Sequence, residues 1–448
     1  MSEIYDYPLS FNLVKKYIVF TFKHFFSEYI VVGKENIPSE GPMIFAPNHT
    51  NALMDAFAVH SIAPKNLPII FLARADIFKN KYIAKFLRSA KIMPAFRMRD
   101  GMENLGKNND VFDKCIEILS QNKALGIMPE GNQEIERKLR PLVKGIFRIA
   151  FASQEKKDTQ TGVKIIPVGI DYGDILKSNN HIIISIGKPI EVSEYMKSYA
   201  DNPVVATNEI RDRLRTDMEN LTINLATESY YDCFELVTKI ANKSVLDELK
   251  LKDKTIFRFV ARQKIAERLV SLEKNDPDKI KKLNLLGTEY TTLLKKLNLK
   301  TWVFDKPIFS NSFLNFEGLI LFWTFPFFIY GFIVNFLPFF IPVFIRKFIL
   351  KAKFPGFFSS LQLALGLITF PLFYILQTVL ISSLLDFSWW AIILFFCLQY
   401  PFGKWAIKWY KMAKRYQAMM RFRALNNKKS SELLNAQNLR EQIIRMII

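Results

Sequence analysis

In the first half of the chain, short apolar runs alternate with stretches whose apolar residues recur every three or four positions. MIFAP (43–47), PIIFLA (68–73), ALGIMP (124–129), KIIPVGI (164–170) and HIIISIG (181–187) read as strands. Asp110–Ser120, with Val111, Phe112, Cys115, Ile116 and Leu119 at helical spacing, reads as a helix, as does Leu142–Ser153. Pro167 is expected to end its strand. Strands alternating with helices over 28–225 predict an α/β domain whose mixed sheet is covered on its faces. Residues 203–300 are rich in Lys, Glu, Asp and Leu with helical periodicity, which makes 226–311 a helical connector.

The pattern changes in kind over residues 312–403. Gly318–Ile345 is a run of 28 residues without a charged side chain, interrupted by Pro326, Pro338 and Pro342. Phe354–Leu385 and the shorter Phe387–Gly403 are two more. A membrane span needs about 20 apolar residues, so the second run qualifies comfortably and the third marginally. Arg346, Lys347, Lys351 and Lys353 follow the first run, and Lys404, Lys408, Lys411, Lys414 and Arg415 follow the third. The link DFSWW between the second and third has no basic residue, so those two read as a hairpin with both outer ends cytoplasmic. A single span in the first run would put the basic loop opposite the N-terminal domain. A broken, re-entrant 318–345 avoids that conflict and keeps the N-terminal domain of an integral membrane protein cytoplasmic.

Composition narrows the partners. The formal charge is +20, half the residues are hydrophobic, and 41 phenylalanines crowd toward 312–402. The charge suits any anionic surface, and the crowding selects membrane lipids over nucleic acid. Cys115, Cys233 and Cys397 are too few and too scattered for a disulfide framework and read as ordinary buried residues. Residues 1–27 begin MSEIYDY, unlike a cleaved leader, and continue into an aromatic stretch with Lys15, Lys16 and Lys23. That stretch fits an amphipathic interfacial helix or a surface helix packed on the domain. The basic tail, 404–448, fits a headgroup-binding helix or an ordinary solvated one.

Chemistry concentrates in four blocks. In APNHTNALMDA (46–56), His49 precedes Asp55 by six positions, in a chain with only four histidines. Histidine titrates near neutrality and can take a proton from a hydroxyl, and a carboxylate on its other nitrogen would fix the tautomer. The pair alone also fits a structural histidine. No serine sits in a GxSxG context, so the hydroxyl to be activated belongs to the substrate. SAKIMPAFRMRDG (89–101) carries Arg97 and Arg99, and IMPEGNQEIERKLRPLVKGIFRIAF (127–151) carries Glu130, Gly131, Arg140 and Lys144. IIPVGIDYG (165–173) is the fourth. Arginines near a helix N-terminus suit a phosphate, although any one of them also fits a surface ion pair. His24, His60 and His181 have no metal-ligand spacing.

In order and spacing these blocks resemble the four motifs of the glycerophosphate acyltransferase superfamily, which includes lysophosphatidate acyltransferases. VGKENIPSEGPMIFAPNH (32–49) and ISIGKPIEV (184–192) also look like that family's flanking segments, and the resemblance covers roughly 28–225. The common pattern has four residues between His and Asp, whereas Thr50–Met54 makes five. That spacing, and MENLTINLATESYYDCFELV (218–237), are similar to the yeast-type glycerol-3-phosphate/dihydroxyacetone-phosphate acyltransferases. Asn132–Gln133 departs from the residues usual after the PEG block.

The resemblance implies a glycerolipid acyltransferase-like fold and a general base, His49, oriented by Asp55. It implies Arg97, Arg99, Glu130, Gly131 and Lys144 as acceptor-binding residues and Pro167 as part of the wall beside the acyl chain. The reaction would move a fatty acyl group from acyl-CoA or acyl carrier protein to glycerol 3-phosphate, without metal or cofactor. Lysophosphatidate is the alternative acceptor. A transporter fits poorly, because the apolar runs hold almost no ionisable residue, and an inactive membrane scaffold remains a reading from another class.

Overall fold

The computed structural model describes residues 9–448 except 65–66, 68, 80, 96–104, 157–161 and 306–309. The chain forms two compact units. One runs to Ile223 and includes Lys353–Ser360; the other comprises Asn224–Ala352 and Leu361–Ile448.

The first unit is built on a mixed sheet of β1 (Glu28–Val32), β2 (Met43–Pro47), β3 (Ile69–Arg74), β4 (Ile92–Ala95), β5 (Ala124–Gly126), β6 (Lys164–Tyr172), β7 (His181–Ile186) and β8 (Ile190–Glu191). The order is β1-β7-β6-β2-β5-β3-β4, with β8 beside β6. β6, β2, β5, β3 and β4 are all parallel, so their carboxyl ends share one edge of the sheet. β7 and β8 run antiparallel to β6. Parallel neighbours need crossovers, and α1 (Leu9–Phe25), α2 (Leu53–Ile62), α3 (Lys81–Ser89), α4 (Leu105–Ser120), α5 (Gly145–Lys156), α6 (Met196–Asp201) and α7 (Pro203–Leu221) supply the cover. β2 is buried along its whole length, as a strand covered on both faces must be. Ile44 and Ala46 join a core with Cys115, Ile118 and Leu119 of α4, Phe147 and Phe151 of α5, and Ile210 and Leu214 of α7. Met43 and Phe45 alternate to the opposite face.

Three strands are ones that apolar runs alone do not mark. β1 is a half-exposed edge strand, β4 is four residues long and contains Pro94, and β8 has two residues. Pro167 does not end its strand, contrary to expectation; it sits buried in the middle of β6, opposite Ala46. Its carbonyl accepts from Gly187 N at 2.9 Å, so the N–H it lacks would have faced the corner between β7 and β8. No bond of the β2–β6 ladder is lost there, which is why the strand tolerates it.

α1 packs on the domain along one face. Phe22 is buried and meets Phe57 of α2 edge-on, while Leu13, Val14, Tyr17 and Phe20 stay exposed.

The second unit is helical: α8 (Tyr231–Ile240), α9 (Asn242–Glu248), α10 (Thr255–Asn275), α11 (Pro277–Leu297), α12 (Asn311–Trp323), α13 (Phe325–Phe344), α14 (Phe358–Leu385, whose residues up to Ser360 belong to the first unit), α15 (Trp389–Asn427) and α16 (Ser431–Arg445). Three stretches are long and apolar enough to cross a membrane: Phe325–Ile349, Pro355–Leu385 and Trp389–Asn427. Their large apolar side chains point outward, among them Ile333, Ile368, Val379 and Trp389, as a lipid-facing surface would have them.

The first run is interrupted as expected at Thr324, where α12 ends and Pro326 stands in the first turn of α13, but its other two prolines do not break it. Pro338 and Pro342 lie inside α13, where each strands the carbonyl four residues earlier. Gln377 Nε2 donates to Val334 O at 3.0 Å and Thr369 Oγ1 donates to Pro338 O at 2.9 Å. Side chains of α14 thus satisfy both stranded acceptors, as an apolar solvent requires. Gly331 lets α13 approach α15, since a Cβ there would lie 2.1 Å from Phe402 O. Cys397 is exposed on α15, unlike Cys115 and Cys233, because it lies on the outward face of an apolar helix.

Candidate active site

β2 ends at Pro47 and delivers Asn48 and His49 to the carboxyl edge of the sheet. Asn48 is stitched to β6, its N–H to Val168 O at 3.2 Å, its Nδ2 to Ile170 O at 3.1 Å, and its Oδ1 accepting from Ile170 N at 2.7 Å. His49 therefore leaves the sheet from a fixed point. The chain then turns at Asn51–Met54, closed by Met54 N donating to Asn51 O at 2.9 Å. Ala52 has φ 44° and ψ −117°, a conformation that side-chain-bearing residues rarely adopt. This turn absorbs the five-residue interval and starts α2 with Asp55 in its first turn.

His49 Nδ1 lies 2.9 Å from Asp55 Oδ2. The same oxygen accepts from Thr50 N at 3.0 Å and Asn51 N at 2.8 Å, and Oδ1 accepts from Tyr172 OH at 2.7 Å. Asp55 is fully buried, whereas the His49 side chain keeps a fifth of its surface exposed. A carboxylate with four donors has one orientation and holds hydrogen on Nδ1, which leaves Nε2 as the nitrogen able to take a proton. Burial, then the Asp55 charge, pushes the Tyr172 phenol well above its ordinary range, so it stays a donor.

β5 and its following loop bring Glu130 alongside. Its Oε1 accepts from His49 N at 2.8 Å and its Oε2 from Arg140 N at 3.2 Å. Burial raises the Glu130 carboxyl, and these two N–H donors and the Arg140 guanidinium oppose that rise. Gly131 turns at φ 68°, and a Cβ there would lie 3.1 Å from Val143. Glu130 thus braces the histidine backbone. Lys144 is exposed just before α5, and Pro167 is enclosed within the sheet. Arg97 and Arg99 lie outside the described residues.

A cleft lined by Asn48, Thr50 and Tyr172, neighbours of His49 and Asp55, carries charge of both signs, Glu130, Glu136 and Asp171 with Arg137 and Lys138. Arg137 Nε donates to the buried Asp171 at 2.9 Å and its guanidinium also to Tyr172 O at 2.5 Å. Arg137, Lys138 and Tyr172 stand inside two of the quoted blocks, but only the sheet register brings them to one place. Asn48 and Tyr172 had one signal in the sequence, their adjacency to motif residues at strand ends.

His60, on α2, is different in kind. Its ring lies 5.0 Å from that of Phe71, and its Nδ1 is enclosed without a hydrogen-bond partner. Burial, then the Lys15 charge, pushes it down to about 3 from 6.5. Between those values the unfolded chain binds a proton that the folded chain refuses, so stability falls as pH drops from 6.5 toward 3. His60→Phe keeps the ring contact and is expected to flatten that acid loss, of order a few kcal/mol, in pH-dependent melting.

Residues 28–171 match the model of the family described as Acyltransferase. Glycerol-3-phosphate O-acyltransferase 1 of Saccharomyces cerevisiae is 28% identical over 130 residues, 29% of this chain and 17% of that protein. The chain therefore spans about a sixth of that relative's length. The 1-acyl-sn-glycerol-3-phosphate acyltransferase of Bacillus subtilis is 22% identical over 193 residues, 42% of this chain and 87% of that one. Among solved structures, the 1-acyl-sn-glycerophosphate acyltransferase PlsC of Thermotoga maritima aligns over 45% of this chain and 76% of its own, at 20% identity and TM-score 0.32. The stretch that carries His49, Asp55 and Glu130, residues 28–171, is thus the part of this chain that matches the acyltransferase family.

Proposed function

We propose that the protein is a membrane-bound glycerolipid O-acyltransferase that esterifies glycerol 3-phosphate with the acyl group of an acyl thioester, giving lysophosphatidate. One observation carries this reading: the fully buried Asp55 holds the His49 ring by Nδ1, and the ring keeps a fifth of its surface exposed with Nε2 as its other nitrogen. In the reaction the acceptor hydroxyl gives its proton to His49 Nε2 as its oxygen attacks the thioester carbonyl. The C–S bond then breaks, the new ester leaves, and the thiolate takes the proton back from Nε2. In this reading Arg97, Arg99 and Lys144 bring positive charge to the acceptor's phosphate. Glu130 and Gly131 shape the acceptor side, and no metal or cofactor enters a step.

The acyl donor is acyl-CoA or acyl carrier protein. The names of the bacterial relatives favour a second reading, in which lysophosphatidate is the acceptor. Labelled acyl-CoA offered with a panel of acceptors to the detergent-purified protein separates them. Faster turnover with glycerol 3-phosphate is expected; preference for lysophosphatidate supports the second reading, and no turnover with any acceptor leaves the scaffold.

The membrane segments fit a reaction whose donor tail and product partition into lipid, with the catalytic domain cytoplasmic. In this reading the chain between Ile223 and Lys353, both in the first unit, leaves and rejoins one face of the bilayer. Cysteines placed at residues 35 and 351 are expected to react with an impermeant reagent from the same side. Labelling from opposite sides would refute that topology.

A further inference from the structure

We propose that Ser359 and Ser360, at the start of the membrane helix α14, are positioning residues for the catalytic loop and act through Asn51. The inference rests on the reading of His49 and Asp55 given above. Ser359 Oγ donates to Asn51 Oδ1 at 2.9 Å. Ser360 Oγ donates to Asn51 O at 2.8 Å and lies 3.2 Å from Oδ1. All three residues are buried, at 1% exposure for Asn51, 4% for Ser359 and 3% for Ser360. Asn51 is at once the donor whose N–H reaches Asp55 Oδ2 at 2.8 Å. A continuous line of hydrogen bonds therefore runs from α14 through Asn51 and Asp55 to the imidazole.

The loop needs such a hold. Ala52, next to Asn51, sits at φ 44°, a conformation that persists only where the surroundings over-determine it. The two hydroxyls fix the residue immediately before that strained turn, and the turn sets where Asp55 enters α2. Contact extends to the neighbouring backbone, since a Cβ on Gly356 would lie 3.1 Å from Thr50 O. Neither serine falls within residues 28–171, so the segment that leads into the bilayer completes a site whose chemical groups lie some 300 residues earlier. A base displaced by a fraction of an ångström loses rate without losing substrate affinity. The clamp should therefore register in kcat and leave KM alone.

The test uses the full chain in detergent. Ser359→Ala with Ser360→Ala is expected to lower kcat about tenfold, with KM for acyl-CoA and for acceptor unchanged. Adding Ala52→Gly, which takes the turn without strain, should recover most of the lost kcat. Should the double variant fail to fold, Ser359→Ala alone reads the same split at about threefold. Unchanged kcat, a raised KM with kcat intact, or no recovery on adding Ala52→Gly would overturn the clamp. His49→Ala run in parallel separates the two claims. If it is inactive while the serine variants match wild type, the clamp alone fails; if it turns over normally, the catalytic reading fails and takes the clamp with it.

Discussion

His49→Ala is expected to lower kcat by about 10²–10⁴-fold or more while leaving KM for both substrates near its wild-type value. The fold should not be at issue. The loop contacts of His49 are made by its main chain, through the N–H to Glu130 and the carbonyl accepting from Glu134 N at 3.3 Å, and alanine keeps both. Among the described residues, no neighbouring carboxylate that contacts His49 is free to stand in as base. Both Glu130 oxygens already accept backbone N–H groups, and Asp55 is buried beneath the ring. His60, held neutral at the other end of α2, has no part in the proton transfer. Initial rates with varied acyl-CoA and acceptor, set beside the melting curve of the same preparation, make the measurement. A variant that melts normally and keeps wild-type kcat would remove the base from the mechanism.

Asp55 offers the second large effect, and its two replacements should differ. In Asp55→Ala the buried N–H groups of Thr50 and Asn51 and the hydroxyl of Tyr172 lose their acceptor. Each unsatisfied group costs about 1–3 kcal/mol, so stability falls together with kcat. The activity loss should then approach that of His49→Ala. Asp55→Asn keeps most of the arrangement. The two backbone donors select the amide oxygen for the Oδ2 position, where it still accepts from His49 Nδ1 and preserves the tautomer. Its NH2 then faces Tyr172, whose hydroxyl can turn to accept. What disappears is the negative charge that stabilises the imidazolium, and a loss of about 10–10²-fold in kcat with little change in Tm is expected. Equal losses for the two variants would mean that the charge alone matters and the hydrogen-bonded loop does not.

Local pattern suffices for the interior strands, for a physical reason. MIFAP, KIIPVGI and HIIISI lie in the interior of the sheet and are buried almost throughout, so their apolar runs carry the strand signal by themselves. β1 and β4 carry little of it, because one is an edge strand and the other is four residues long. Prolines misled the reading twice. At Pro167 the missing donor faces a corner where β7 gives way to β8, and at Pro338 and Pro342 the stranded carbonyls are met by Gln377 and Thr369. Whether a proline breaks an element depends on who stands opposite, and that neighbour is distant in the chain.

By itself the sequence determined the alternation of strands and helices, the apolar segments, and the order of the four blocks with His49 and Asp55 in the first. Those features depend on periodicity and on residues only a few positions apart. The tertiary structure decided that Tyr172 holds the second oxygen of Asp55, that Glu130 braces the His49 backbone, and that Ser359 and Ser360 grip Asn51. Hydrogen bonds reach only about 3 Å, so which groups share one is set by sheet register and chain return, and these are products of the folded whole.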